Sequence, residues 1–124
     1  MSKTFKYLMA ISLVLGSVLF VNSHPKAEAQ LLPTKLRVTV LDGNGNYVDN
    51  ASVSLFASED DYINSKDPLK LDRTDKKGRV TFKDLGPKSY YIDARKGDKN
   101  NDGRGSKTDK LQEGRINKVN VVIE

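Results

Sequence analysis

Asp98-Lys99-Asn100-Asn101-Asp102-Gly103-Arg104-Gly105-Ser106-Lys107-Thr108-Asp109 is the stretch whose residue types and spacing could do chemistry. Oxygen donors fall at loop positions 1, 3, 5, 9 and 12, with glycine at 6, which are the ligand positions of a twelve-residue calcium loop. Asp98, Asn100 and Asp102 would supply side-chain oxygens, and Arg104 its backbone carbonyl. Ser106 would coordinate directly or through water, and Asp109 would close the site. Three features work against a tight site. Position 12 is Asp rather than the longer Glu, Lys99, Arg104 and Lys107 add positive charge, and the flanks read as strands rather than helices. The same composition also serves turn chemistry alone, in a polar inter-strand loop. Any Ca2+ held here would bind in the range of about 10⁻⁴–10⁻³ M found in extracellular modules.

Other candidates are thinner. Asp42-Gly43-Asn44-Gly45-Asn46 has acceptor oxygens at alternate positions, but Asn-Gly favours positive φ and reads as a hairpin turn. Asp60 and Asp61 could form a carboxylate pair, yet adjacent acids in a charged loop are ordinarily just solvated. Sugar platforms use exposed aromatic faces, and Tyr47, Tyr62 and Tyr91 are the candidates for ligand binding. Strand parity puts Tyr91 outward and Tyr90 in the core.

The elements that must position these residues are strands. Leu36, Val38 and Val40 alternate with polar neighbours, as do Ala51, Val53 and Leu55. Leu69 and Leu71, Val80 and Phe82, then Tyr90, Ile92 and Ala94, and finally Val119, Val121 and Ile123 follow the same rule. Period-two patterning rich in Val, Ile, Tyr and Phe marks half-buried strands, and turn clusters between them mark a sandwich. A weaker strand over 107–111 brings the number to six or seven, in a small antiparallel all-β sandwich. Ser58 to Asp67, whose acids Glu59, Asp60 and Asp61 suit a helix N-terminus, reads mainly as a polar loop with room for one helical turn.

Composition bounds the function. Residues 1–29 read as a signal peptide: Lys3 and Lys6 precede the 14-residue apolar or small-residue run Leu8 to Val21, and Ala27-Glu28-Ala29 is a small-x-small cleavage site. The run falls short of the roughly 18–20 residues that span a bilayer. Cleavage near Ala29 predicts an exported chain, periplasmic or extracellular, with no transmembrane span. Residues 30–35 would be a linker and 36–124 one domain. Of 21 basic and 16 acidic residues, removal of Lys3, Lys6, Lys26 and Glu28 leaves 18 and 15, a net charge of +3. The cations are dispersed among acids, so the sequence shows no nucleic-acid patch. The chain has no cysteine, and its single histidine, His24, lies in the leader. A mature chain lacking both has few nucleophiles or bases to offer a hydrolase or a zinc site.

A family resemblance rests on two blocks. Val38-Thr39-Val40-Leu41-Asp42, Gly45, Val48 and Ala51 to Leu55 resemble the opening of carboxypeptidase regulatory-like domains. Thr74-Asp75, Gly78, Val80, Phe82, Leu85, Tyr90, Ile92 and Ala94 resemble their second half. The resemblance implies a seven-stranded Greek-key sandwich of the transthyretin (prealbumin) and collagen-adhesin B type, covering nearly all of the mature chain. It implies no one function, because such modules serve as spacers, accessory domains and ligand platforms. Two active branches of that superfamily are not matched. The hydroxyisourate hydrolases use histidines and a C-terminal Tyr-Arg-Gly-Ser, whereas this chain ends Val121-Val122-Ile123-Glu124. Self-crosslinking members need a buried lysine in the first strand, where this chain has Leu36, Val38 and Val40, with Lys35 only at the edge. The expected role is a non-catalytic structural or binding module without cofactor, with an envelope protein or glycan as partner. A weak calcium module and a carbohydrate-binding module are the alternatives.

Overall fold

The computed structural model describes residues 32–124, so the leader and its cleavage site lie outside the described residues. Seven strands and one helical turn follow in order: β1 (Lys35–Asp42), β2 (Ser52–Phe56), α1 (Glu59–Ile63), β3 (Lys70–Arg73), β4 (Arg79–Phe82), β5 (Tyr91–Lys96), β6 (Lys99–Asn100) and β7 (Ile116–Ile123). They form two sheets, β4-β1-β7 and β3-β2-β5-β6. The all-β sandwich expected from the alternation is present. Leu36, Val38, Val40, Val53, Leu55, Phe82, Ile92, Ala94, Val121 and Ile123 are all buried between the sheets. Burial of such side chains from both inner faces is the main favourable term holding a domain without disulfides.

The sandwich is not wholly antiparallel. β7 runs parallel to β1 over its full length, from Lys35 opposite Ile116 to Asp42 opposite Ile123. Parallel neighbours cannot be joined by a tight hairpin. Here the connection between them is the rest of the domain. β1 therefore begins at one pole of the sandwich and β7 ends at the other.

Local chemistry explains the turns. Asp42 and Asp75 build the same five-residue turn. In each, a carboxylate oxygen accepts the amides two and four residues on: Asn44 and Asn46 for Asp42, Lys77 and Arg79 for Asp75. A glycine at the fourth position takes positive φ, Gly45 at 85° and Gly78 at 70°. The two differ in packing. A Cβ on Gly78 would lie 2.6 Å from the Val40 carbonyl oxygen, whereas one on Gly45 would meet nothing within 4 Å. Beyond β4, Leu85 packs against the core, and the buried Tyr90 hydroxyl accepts the Gly86 amide at 2.8 Å.

The one helical turn allowed for in Ser58 to Asp67 is present: Ser58 caps α1, its Oγ accepting the Asp61 amide at 3.2 Å. A further expectation is corrected. β3 is an exposed edge rather than a half-buried strand, with Leu71 62% and Leu69 50% accessible. Lys35 opens β1, and the buried Thr34 accepts the Gly114 amide through Oγ1 at 2.9 Å.

Candidate functional site

The 98–109 segment is built around a residue the ligand spacing passes over. Asn101 is 0% exposed. Its Oδ1 accepts the Ala94 amide and its Nδ2 donates to the Ile92 carbonyl, both at 2.9 Å. One carboxamide thus imitates a neighbouring strand on the free edge of β5. The segment completes that edge further down. Ile92 N–H donates to the Ser106 carbonyl at 2.7 Å, Thr108 N–H donates to the Tyr90 carbonyl at 2.8 Å, and Tyr90 N–H donates to the Thr108 hydroxyl at 3.0 Å. The weak strand expected over 107–111 is reduced to this contact and one bridge, Lys107 opposite Tyr91.

Five of the six proposed calcium ligands already have hydrogen-bond or ion-pair partners within the protein. Asp98 lies in the turn between β5 and β6. Asn100 pairs through its backbone with Glu124 and spends its Oδ1 on the Asp102 amide at 2.9 Å. The Asp102 carboxylate is held by Arg95 at 3.2 Å. Arg104 brings a guanidinium nitrogen to the Asn100 and Asp102 carbonyls, at 3.3 and 3.5 Å, and pairs with Glu124 at 2.8 Å. The Ser106 carbonyl serves Ile92, and the Asp109 carbonyl accepts the Thr108 hydroxyl at 2.7 Å. Among the described residues no three His, Cys, Asp or Glu side chains cluster as metal ligands do.

Electrostatics in this region are those of surface pairs. Arg95 is raised above the ordinary arginine value, first by its hydrogen bond to Asp93 at 3.0 Å and then by the charges of Asp93 and Asp102. Asp42 is held below the usual carboxylate range, chiefly by the Asn46 amide and then by that of Asn44.

The aromatic candidates separate into two places. Tyr62 and Tyr91 come together with ring centroids 6.1 Å apart, and Phe56 meets Tyr62 edge-on at 6.0 Å. Phe56 has the outward parity of β2 yet is buried. α1 carries Tyr62 over it, which gives that turn its purpose. Lys107 Nζ lies 5.8 Å from the Tyr91 ring centroid. Tyr47, 63% exposed, stands apart. It lines an open cleft of about 360 Å³ with Asp42, Asp49, Lys96, Asp98 and Lys99. Lys96 Nζ there donates to the Asp49 carbonyl. The three tyrosines therefore do not form one platform.

No protein-family model matches the chain, and no curated protein does. Solved structures do resemble it. The Bacillus anthracis TIE protein is similar over 74% of this chain and 17% of its own length, at 21% identity and a TM-score of 0.55. A streptococcal ancillary pilin is similar over 75% of this chain and 32% of its own, at 16% identity and a TM-score of 0.56. The chain thus spans at most about a third of the structures it resembles, and what it shares with them is the fold. None of the described residues belongs to a helix long and apolar enough to cross a membrane.

The residue that sequence reasoning missed is Asn101. Its only signal is position: it follows the last strand residue Asn100, where the next strand step would otherwise pair β5.

Proposed function

We propose that this domain is a non-catalytic structural module of the cell surface, exported and set in line with other segments so that it carries tension between its two ends. One observation carries the reading: β1 and β7 are parallel neighbours whose entry and exit lie at opposite poles, about 23 Å apart at ~3.3 Å per residue. Tension along that axis loads every rung of the β1–β7 ladder at once, in shear, rather than opening them one by one. Likeness to the folds of a pilin and of the TIE protein supports this use. Kinship with carboxypeptidase regulatory-like domains belongs to the same reading. It is supported by the paired Asp-x-x-Gly turns and by inward Val80, Phe82, Tyr90, Ile92 and Ala94. The partner at either end would be another envelope protein.

Single-molecule pulling tests it. Forced unfolding reports the barrier to unfolding rather than the equilibrium stability. Pulling from the two termini of the domain should give one high-force event. It should release about 290 Å of chain at ~3.5 Å per residue. Pulling from the start of the domain and from Glu113, at the same pole as Thr34, should peel β7 from β1 at clearly lower force. Equal forces in both directions would defeat the proposal.

A further inference from the structure

The outer face of the β4-β1-β7 sheet sorts charge in a way the linear sequence hides. Successive side chains of a strand alternate between faces. β1 therefore presents Lys35, Arg37, Thr39 and Leu41 outward, β4 presents Arg79 and Thr81, and β7 presents Ile116, Lys118, Asn120 and Val122. Four of those side chains are cations and none is an acid; in the next step of the alternation Lys83, beyond β4, adds a fifth cation, and Glu124, beyond β7, is an acid already paired with Arg104. Arg37 lies directly between Thr81 and Lys118, and Thr39 lies between Arg79 and Asn120. Like charges on adjacent strands are destabilising when directly opposite, as Arg37 and Lys118 are. None of the five cations takes part in an ion pair among the described residues; those pairs belong to Arg95 and Arg104. Arg37 has one weak tie, Nε to the Thr81 hydroxyl at 3.3 Å. The carboxylate of Asp75, in the turn before Arg79, is spent on the Lys77 and Arg79 amides.

We propose that this face binds a linear acidic polysaccharide. The partner must be anionic, because a face of unpaired cations whose one bordering acid is already paired attracts negative charge and repels its own. It must lie flat, because three strands at ~4.8 Å spacing make a shallow strip about 10 Å wide with no projecting element. Nucleic acid fits less well. The face has no helix to enter a groove, and Tyr47, opposite Leu41 at its border, offers a single ring rather than a row on which successive bases could stack. Thr39, Thr81 and Asn120, set between the cations, suit sugar hydroxyls. The proposal stands whether or not the domain carries tension.

Heparin (sulfate-bearing) and polygalacturonate (carboxylate only) serve as probes, with a DNA oligonucleotide and anionic vesicles as competing ligands. Binding to at least one polysaccharide is expected at low salt and should fade by about 0.5 M salt, where screening falls to a few ångströms. The double variant Arg37→Gln, Lys118→Gln should weaken it about tenfold. Its Tm should stay level or rise, because a like-charge pair is gone. The pair Lys83→Gln, Lys118→Gln repeats the test without disturbing the Arg37–Thr81 contact. Lys96→Gln with Lys107→Gln, on the other sheet and its loop, should leave binding within about twofold. Three results would overturn the proposal: no polysaccharide binding at low salt, equal loss in the control pair, or tighter binding to DNA or to vesicles.

Discussion

Replacing Asn101 by alanine isolates the role of the 98–109 segment. The side chain makes two buried hydrogen bonds to the edge of β5, to the Ala94 amide and the Ile92 carbonyl. Truncation leaves both main-chain groups without partners, at about 1–3 kcal/mol each. Water entering the vacated space recovers part of that, so a net loss of about 3 kcal/mol is expected. Small domains hold only about 5–15 kcal/mol in all. The loss should lower a urea midpoint by about 3 M at a slope of ~1 kcal/mol/M. It should lower Tm by about 12–24 °C. Asn101→Asp should be at least as damaging, because it sets a second oxygen against the Ile92 carbonyl. Asp98→Ala and Asp102→Ala remove exposed side chains, the latter from a surface ion pair, and should each cost under about 1 kcal/mol. Running the set in millimolar calcium and in EDTA adds a second readout. The expected result is one order of stabilities, unchanged by metal. If Asn101→Ala were neutral while Asp98→Ala and Asp102→Ala abolished a calcium-dependent rise in Tm, the strand-mimic reasoning would be refuted and the ligand spacing vindicated.

Two further outcomes follow from the twin turns. Gly45→Ala should cost about 1–2 kcal/mol, the left-handed backbone penalty alone. Gly78→Ala should cost clearly more, since its Cβ would also meet the Val40 carbonyl at 2.6 Å; equal urea midpoints for the two would contradict the packing. Folding also holds Asp42 and Asp75 below their ordinary value of 3.8, Asp75 chiefly through the Arg79 amide and then that of Lys77. A depressed folded pKa contributes stability at pH above the unfolded value, and this is lost as pH falls through the folded one. Acid unfolding monitored below about pH 4 should therefore be shallower in Asp42→Asn, Asp75→Asn than in the parent; parallel curves would show that the turn carboxylates do not matter.

What the sequence disclosed follows from how local each cause is. Alternation is local, so the buried residues of β1, β2, β4, β5 and β7 were legible, as was the inward Tyr90 beside the outward Tyr91. Turn chemistry is local too: Asp75 accepts the amides of its own turn and Gly78 takes the positive φ there. The parallel placement of β7 was not legible, because alternation says which face a residue takes and nothing of its neighbour's direction. Exposure of Leu69 and Leu71 depends on β3 being an edge, a property of the sheet rather than of the segment. In the candidate site, oxygen spacing could not distinguish a cation's cage from a patch on a strand edge. Asp, Asn and Ser serve both, and the choice rests on the unmet hydrogen bonds of β5, about eight residues earlier. The cations of the basic face looked dispersed because sequence neighbours such as Lys35 and Leu36 point to opposite sides of the sheet.

The two-residue β6 ends where Asn101 begins its work. Strand number in this architecture is then a soft variable. A main-chain rung and a carboxamide are interchangeable donors and acceptors along β5, so a sheet can lose most of a strand while keeping its hydrogen bonds, provided one amide side chain is in place. Homologous sandwiches that differ by a strand on this edge need not have changed topology. They can differ by where the chain stops supplying backbone and starts supplying side chains. The stretch between Asp102 and Gly105 is relieved of strand pairing, and Arg104 ties it back through the Asn100 and Asp102 carbonyls and Glu124.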